Sequence, residues 1–119
     1  MISIMVPAYN EEPYLLNTVN IIVEVAQKIN IKFEIIIVND GSIDRTADII
    51  KELEKKYKFI CSITNKHNLG LGRSLNKVIK IAKGDKFLIV AGDGDISSDD
   101  LFNLFKNMNK AEMIFLYFL

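Results

Sequence analysis

Neither sign of charge prevails in this sequence. Fifteen basic and fifteen acidic residues cancel over 119 residues, so no net field draws the chain to nucleic acid or to an anionic membrane. Arginine is scarce, with only Arg45 and Arg73, and that further weakens a nucleic-acid reading. Cysteine is nearly absent. Cys61 has no partner for an intramolecular disulfide, and its place in an apolar run predicts a small core residue. Long hydrophobic runs are missing too: no apolar segment approaches the roughly 20 residues that a membrane helix requires. Nothing resembles a signal peptide, because Met1 leads directly into a strand pattern that Pro7 interrupts. A cytoplasmic location is the expectation, with peripheral contact to a membrane left open. What remains is ordinary globular composition, 50% hydrophobic and 25% charged, for a single domain over residues 1–119.

The most informative stretch is Phe87-Leu88-Ile89-Val90-Ala91-Gly92-Asp93-Gly94-Asp95. Its continuous apolar run predicts a strand buried on both faces. Buried carboxylates would be ruinous there, so Asp93 and Asp95 are expected just past its carboxyl end. In an extended segment they point the same way, about 6.6 Å apart along the chain. Two such groups repel unless a cation sits nearby, and Gly92 and Gly94 leave room for a bulky ligand. Asp93 and Asp95 are therefore candidate oxygen ligands for a divalent metal beside phosphates. The competing interpretation is a solvated acidic turn.

In chain order, Ile2–Val6 reads as a strand stopped by Pro7. A helix is expected over Tyr14–Ile29, with Leu15, Val19, Ile22, Ala26 and Ile29 on one stripe and Pro13 in its first turn. Phe33–Val38 is a second strand ending at Asn39-Asp40-Gly41-Ser42. Asp44 caps a second helix to about Lys56, with Ala47, Ile50, Leu53 and Tyr57 inward. Phe59–Thr64 is a third strand and Asn65–Gly70 a loop. A third helix over Gly72–Lys83 turns Leu75, Val78, Ile79 and Ala82 inward, and Gly84 closes it. After the Phe87 strand, Ser97 or Ser98 caps a fourth helix carrying Leu101, Leu104, Phe105 and Met108, with Asp99 and Asp100 at its positive end. Met113–Leu119 reads as a fifth strand.

This alternation predicts an α/β domain with a mainly parallel sheet and helices on both faces. The polar clusters Pro7–Glu12, Asn39–Ser42, Asn65–Gly70 and Asp93–Asp95 all follow strands, whereas the loops after helices are plain. Open α/β sheets bind ligands at the carboxyl ends of their strands, so the clusters should converge on one crevice. Several motifs are excluded. Gly70-Leu71-Gly72 lacks the third glycine of the dinucleotide fingerprint and follows the wrong strand, and no phosphate loop with glycine, lysine and serine occurs. A calcium loop starting at Asp93 fails at Ser98 and Leu104. His67 has no companion at metal-ligand spacing and reads as a loop histidine.

Taken in order, Val6-Pro7-Ala8-Tyr9-Asn10-Glu11-Glu12, Ile37 to Thr46 with its Asn39-Asp40-Gly41-Ser42 core, Asn68-Leu69-Gly70-Leu71-Gly72 and Gly92-Asp93-Gly94-Asp95 resemble the nucleotide-sugar half of the family-two inverting glycosyltransferases. These have the GT-A fold, Rossmann-like in character, and the likeness is strongest to the dolichol-phosphate mannose synthase type. The resemblance spans residues 2–119, and it implies a role for each candidate. Pro7, Ala8 and Tyr9 would shape the base pocket, Tyr9 by stacking. Glu11 would contact the ribose or its neighbours, and Asp40 would accept a hydrogen bond from the base. Asn68 and Gly70 would line the nucleotide pocket, and Arg73 would reach the diphosphate. Asp93 would contact the ribose and Asp95 would hold Mg²⁺ or Mn²⁺ bridging the diphosphate. Plainer roles compete: a surface tyrosine, a helix N-terminal carboxylate at Glu11, a turn aspartate at Asp40, a solvated Arg73.

The resemblance further implies a nucleotide-diphospho-sugar donor and a lipid-phosphate or glycan acceptor. Relative to that family the chain looks truncated. An inverting transfer needs a base, and after Asp100 only Glu112 is available, at the head of a strand, so the catalytic residue is unassigned. The apolar Met113–Leu119 segment would need cover, and a homo-oligomer is expected from it. The rival readings are a Mg²⁺-dependent phosphohydrolase, which would carry its acidic pair after the first strand, and a non-catalytic nucleotide-binding or assembly module.

Overall fold

A computed structural model of the chain describes residues 1–108. The chain runs β1 (Ile2–Ala8), α1 (Leu15–Lys28), β2 (Phe33–Asp40), α2 (Thr46–Lys56), β3 (Ile60–Asn65), α3 (Leu71–Ile81), β4 (Lys86–Ile89) and α4 (Ser98–Asn107). The strands form one parallel sheet in the order β3-β2-β1-β4. β1 is the pivot. From it the chain steps outward through β2 to β3, then crosses back to lay β4 on the other side.

That reversal decides where the helices go. Right-handed crossovers put helices on one face when the chain steps one way and on the opposite face when it steps back. Accordingly α1, α2 and α4 cover one face. Leu15, Val19, Ile22 and Ala26 of α1, Ile50 and Leu53 of α2, and Leu101 and Phe105 of α4 pack there on Ile4, Val6, Ile35 and Ile37. Among the described residues the other face holds α3 alone, with Val78 and Leu75 against Met5, Ile36, Val38, Phe87 and Ile89. The alternation of Ile4 and Val6 against Met5 is the strand period of two, and both sets are buried because both faces are covered. Truncating a fully buried residue such as Ile4 to Ala would cost about 2–5 kcal/mol.

The structure corrects several expectations. Pro7 does not stop β1, which continues to Ala8 in register with Asn39. It removes one bond of the pairing with the β4 segment: Val90 donates to the Met5 carbonyl and Gly92 to the Pro7 carbonyl, but the return bond between them would need an N–H at residue 7, which proline lacks. Asn39 and Asp40 belong to β2 and are buried. Cys61 is exposed, not core. It pairs with Ile36 on the face that α3 covers, but β3 is the edge of the sheet among the described residues, and Cys61 opens into a shallow groove with Phe33, Glu34, Phe59 and Lys83. Ile79 is likewise exposed, because a lone helix buries only a narrow stripe. α3 ends at Ile81, and Gly84 serves close approach instead of capping: its N–H donates to Ser3 Oγ at 2.8 Å, and a Cβ there would sit 2.6 Å from the Met1 carbonyl. Ser97 caps α4 as expected, accepting from the Asp100 N–H. The fifth strand expected at Met113–Leu119, and Glu112 before it, lie outside the described residues.

Candidate functional site

The direction switch between β1 and β4 leaves a crevice of about 320 Å³ at the carboxyl ends of the strands, within the range of small-molecule sites. Pro7, Ala8, Tyr9, Glu11, Asp40, Asn68, Gly70 and Asp93 line it, together with Leu71, Ser74 and Ala91. Tyr9 stands half-exposed at the mouth, while Asp40 is buried at the end of β2. Two residues expected at the site are not among its lining. Arg73 points to solvent from α3, and Asp95 is exposed beyond the crevice wall.

The loop after β1 is fastened to the loop after β2 by reciprocal bonds. Asn10, at φ +52°, donates its N–H to Ser42 Oγ (3.0 Å) and accepts from the Ile43 N–H (2.9 Å). The Glu11 N–H donates to Thr46 Oγ1 and the Glu12 N–H to Asp44 Oδ2, while Glu12 Oε1 accepts from the Arg45 N–H. The backbone that presents Glu11 is therefore held from both sides. Asp40 holds the opposite wall. Its Oδ1 accepts from Asn65 Nδ2 (2.9 Å) and the Leu69 N–H (2.8 Å), and its Oδ2 from the Gly70 N–H (3.0 Å).

The acidic segment after β4 is a turn, not the extended run expected from the sequence. Gly94 takes φ +84°, and the Asp95 N–H folds back onto Asp93 Oδ1 at 3.1 Å. The two carboxylates therefore do not project side by side at strand spacing. The crevice is electrostatically negative. Partial burial raises the Glu11 carboxyl above its ordinary value, and the nearby charges of Asp93 and Asp44 raise it further. Among the described residues, no group of three or more His, Cys, Asp or Glu side chains could cage a metal. Asp93 and Asp95 are the carboxylates after β4 that could contribute to a cation of the Mg²⁺ kind, which takes one or two carboxylates and draws its other ligands from substrate phosphates and water.

Leu71, Ala91 and the strand-end Asn65 lay inside the stretches singled out from the sequence but were given no role there, and Ser74 lay outside them. Ser74 carried a signal: a small polar residue on the inward stripe with Val78, completely covered.

Residues 3–117 match the family model described as "Glycosyl transferase family 2". The chain belongs to glycosyltransferase family 2. A dolichyl-phosphate beta-glucosyltransferase of Trichomonas vaginalis is 35% identical over 117 residues, covering 94% of this chain and 36% of the relative. Among solved structures, the mannosyltransferase PcManGT of Pyrobaculum calidifontis, in complex with GDP-Man and Mn²⁺, superposes with a TM-score of 0.75 at 23% identity, over 90% of this chain and 32% of that one. S. aureus TarS 1-349 in complex with UDP-GlcNAc gives 0.68 at 26% identity, over 92% and 31%. The architecture is that of the GT-A glycosyltransferases. This family-2 chain spans about a third of the length of each of these three proteins. Membership disfavours the phosphohydrolase alternative, and the acidic pair follows β4 instead of β1. No helix among the described residues is long and apolar enough to cross a membrane.

Proposed function

We propose that this domain binds a nucleotide-diphospho-sugar donor in the crevice, together with Mg²⁺ or Mn²⁺, for transfer of the sugar to an acceptor. The observation that carries the reading is the convergence of Tyr9, Glu11, Asp40, Gly70 and Asp93 on one crevice at the switch point of a family-2 chain. The exposed Tyr9 ring offers a face for a base. Asp40 Oδ2, with one protein donor, keeps an acceptor direction for a ligand N–H. Gly70 has open space where a Cβ would be, so a ligand can approach its backbone closely. Glu11 and Asp93 make the mouth negative, which repels a bare diphosphate and favours one accompanied by a cation. Asp93 and Asp95 are the side chains we assign to hold that cation. When bound, it would offset charge on the departing diphosphate, worth several kcal/mol.

The acceptor is drawn more coarsely. The name of the T. vaginalis relative supports a lipid phosphate, which would bring the domain to a membrane surface, and a glycan is the second candidate. Self-association through Met113–Leu119 belongs to the same proposal, and light scattering reads it directly.

Thermal denaturation with UDP or GDP, in Mn²⁺ or in EDTA, tests the donor site. At a hundredfold excess over Kd, the nucleoside diphosphate should stabilise the fold by about 2.7 kcal/mol. Equal stabilisation in EDTA removes the metal from the proposal, and no stabilisation by either nucleotide removes the donor site.

A further inference from the structure

Behind the Asp40 wall lies a hydrogen-bond chain that the donor-binding roles do not use. Asn65, the last residue of β3, is only 3% exposed. Its Nδ2 donates to Asp40 Oδ1 (2.9 Å) and to Ser74 Oγ (3.2 Å), and its Oδ1 accepts from Lys77 Nζ (2.6 Å). Every partner fits one orientation of the amide. Turned over, its oxygen would face the Asp40 carboxylate and its NH₂ the Lys77 ammonium. Lys77 lies one helical turn beyond Ser74 on α3, so the two reach the same amide from one helix face.

We infer that Asn65 and Lys77 are positioning residues for the crevice, acting through Asp40. With donors from Asn65 and Leu69, both lone-pair directions of Asp40 Oδ1 are filled. The carboxylate plane is thereby set, and Oδ2 is left to hold the Gly70 N–H and face the crevice. The Lys77 charge pulls on the amide oxygen and strengthens the N–H donation at its other end. A cation on the surface of α3 thus holds a carboxylate on β2 through an amide on β3, and that carboxylate holds the 68–70 loop. The effect on ligands rests on the donor-site reading above, whereas the effect on the loop does not.

The test uses the whole chain and three substitutions: Lys77→Met, Lys77→Arg and Asn65→Ala. NMR amide exchange at Leu69 and Gly70 reads the loop, and titration with UDP and Mn²⁺ reads the site. Loss of one hydrogen bond to a charged group predicts that Lys77→Met speeds exchange at both amides by about tenfold and weakens UDP by a similar factor. The Ile36 and Val38 amides of the core should keep their protection. Lys77→Arg, which retains the charge and a donor, should restore most of both effects. Asn65→Ala should exceed Lys77→Met. In an Asp40→Asn background the Lys77→Met effect on UDP should largely vanish, because coupled residues are not additive, whereas a general loss of helix stability would persist. Exchange at Leu69 and Gly70 within about twofold of the parent in Lys77→Met, the ordinary range of a surface substitution, overturns the inference. If the parent binds neither UDP nor GDP, the donor-site reading fails and the exchange data still decide the positioning role.

Discussion

Asp40 and Gly70, thirty residues apart in sequence, are joined by a 3.0 Å hydrogen bond from the glycine N–H to the carboxylate. With the Leu69 N–H and Asn65 Nδ2 on the other oxygen, one side chain on β2 satisfies the loop that leads into α3. Asp40→Ala should therefore destabilise the chain by about 1–3 kcal/mol, chiefly the penalty for the Leu69 N–H, since the Gly70 N–H keeps Asn68 Oδ1 and Asn65 Nδ2 keeps Ser74 Oγ. Urea denaturation at unchanged m value checks it. A loss below about 0.5 kcal/mol would mean that water replaces the carboxylate without penalty.

The raised Glu11 carboxyl predicts a pH dependence of definite sign. The folded state binds its proton more tightly than the unfolded chain does. Its contribution is therefore full below the ordinary value of 4.5 and is lost as pH rises through the raised value. Glu11→Gln should be more stable than the parent at pH 7, by a few tenths of a kcal/mol because the group is well hydrated. The difference should close below pH 4.5. Paired denaturation curves across that range decide it, and a mutant less stable at neutral pH contradicts the electrostatic account.

Two glycines should respond oppositely to alanine. Gly41 has φ +81°, and a Cβ there would lie 2.7 Å from the Asn68 N and the His67 carbonyl carbon, which are backbone atoms with nowhere to go. Gly41→Ala should cost about 2–4 kcal/mol from strain and overpacking together. Gly72 is helical, with nothing within 4 Å of a Cβ. Gly72→Ala should stabilise by about 0.5 kcal/mol. Thermal melts of both variants would show the contrast.

Asp93 lines the crevice and Asp95 does not, although the two are joined by the Asp95 N–H. Asp95→Asn should leave the melting temperature of the free chain unchanged, since the side chain is exposed. It should also remove the Mn²⁺ dependence of nucleoside-diphosphate binding. Asp93→Asn should weaken Mn²⁺-dependent binding by more than the roughly 10–100-fold that an outer-sphere partner is worth. Titration calorimetry separates them. Dependence on Mn²⁺ that survives Asp95→Asn would leave Asp93 as the carboxylate ligand.

Much of this protein was legible locally. The continuous apolar run at Phe87 read as a strand covered on both faces, the short apolar stretches at Ile2 and Phe33 read as strands, and the period-three-and-four stripes at Leu15 and Leu101 read as helices on a core. The polar clusters after each strand marked the carboxyl edge, and eight of the residues that the motifs singled out line one crevice there. These features follow from chemistry along the chain: which residues bury, which bend, and at what spacing.

Tertiary structure decided what depends on a neighbour from another segment. Cys61 reads as core in an apolar run, yet β3 is the outermost of the described strands and Cys61 is exposed there. Ile79 continues an apolar stripe, yet among the described residues no second helix covers that face. Pro7 leaves a bond out of one ladder and not the other, because only the β4 side needs its missing N–H. Asn65 and Lys77 carry no motif, and they meet Asp40 only because β3 lies beside β2 and α3 folds back over both. Apolar periodicity records that a residue must be covered, but the hydrogen bond or side chain that covers it comes from whichever strand the crossovers place alongside, and handedness and strand order set that non-locally.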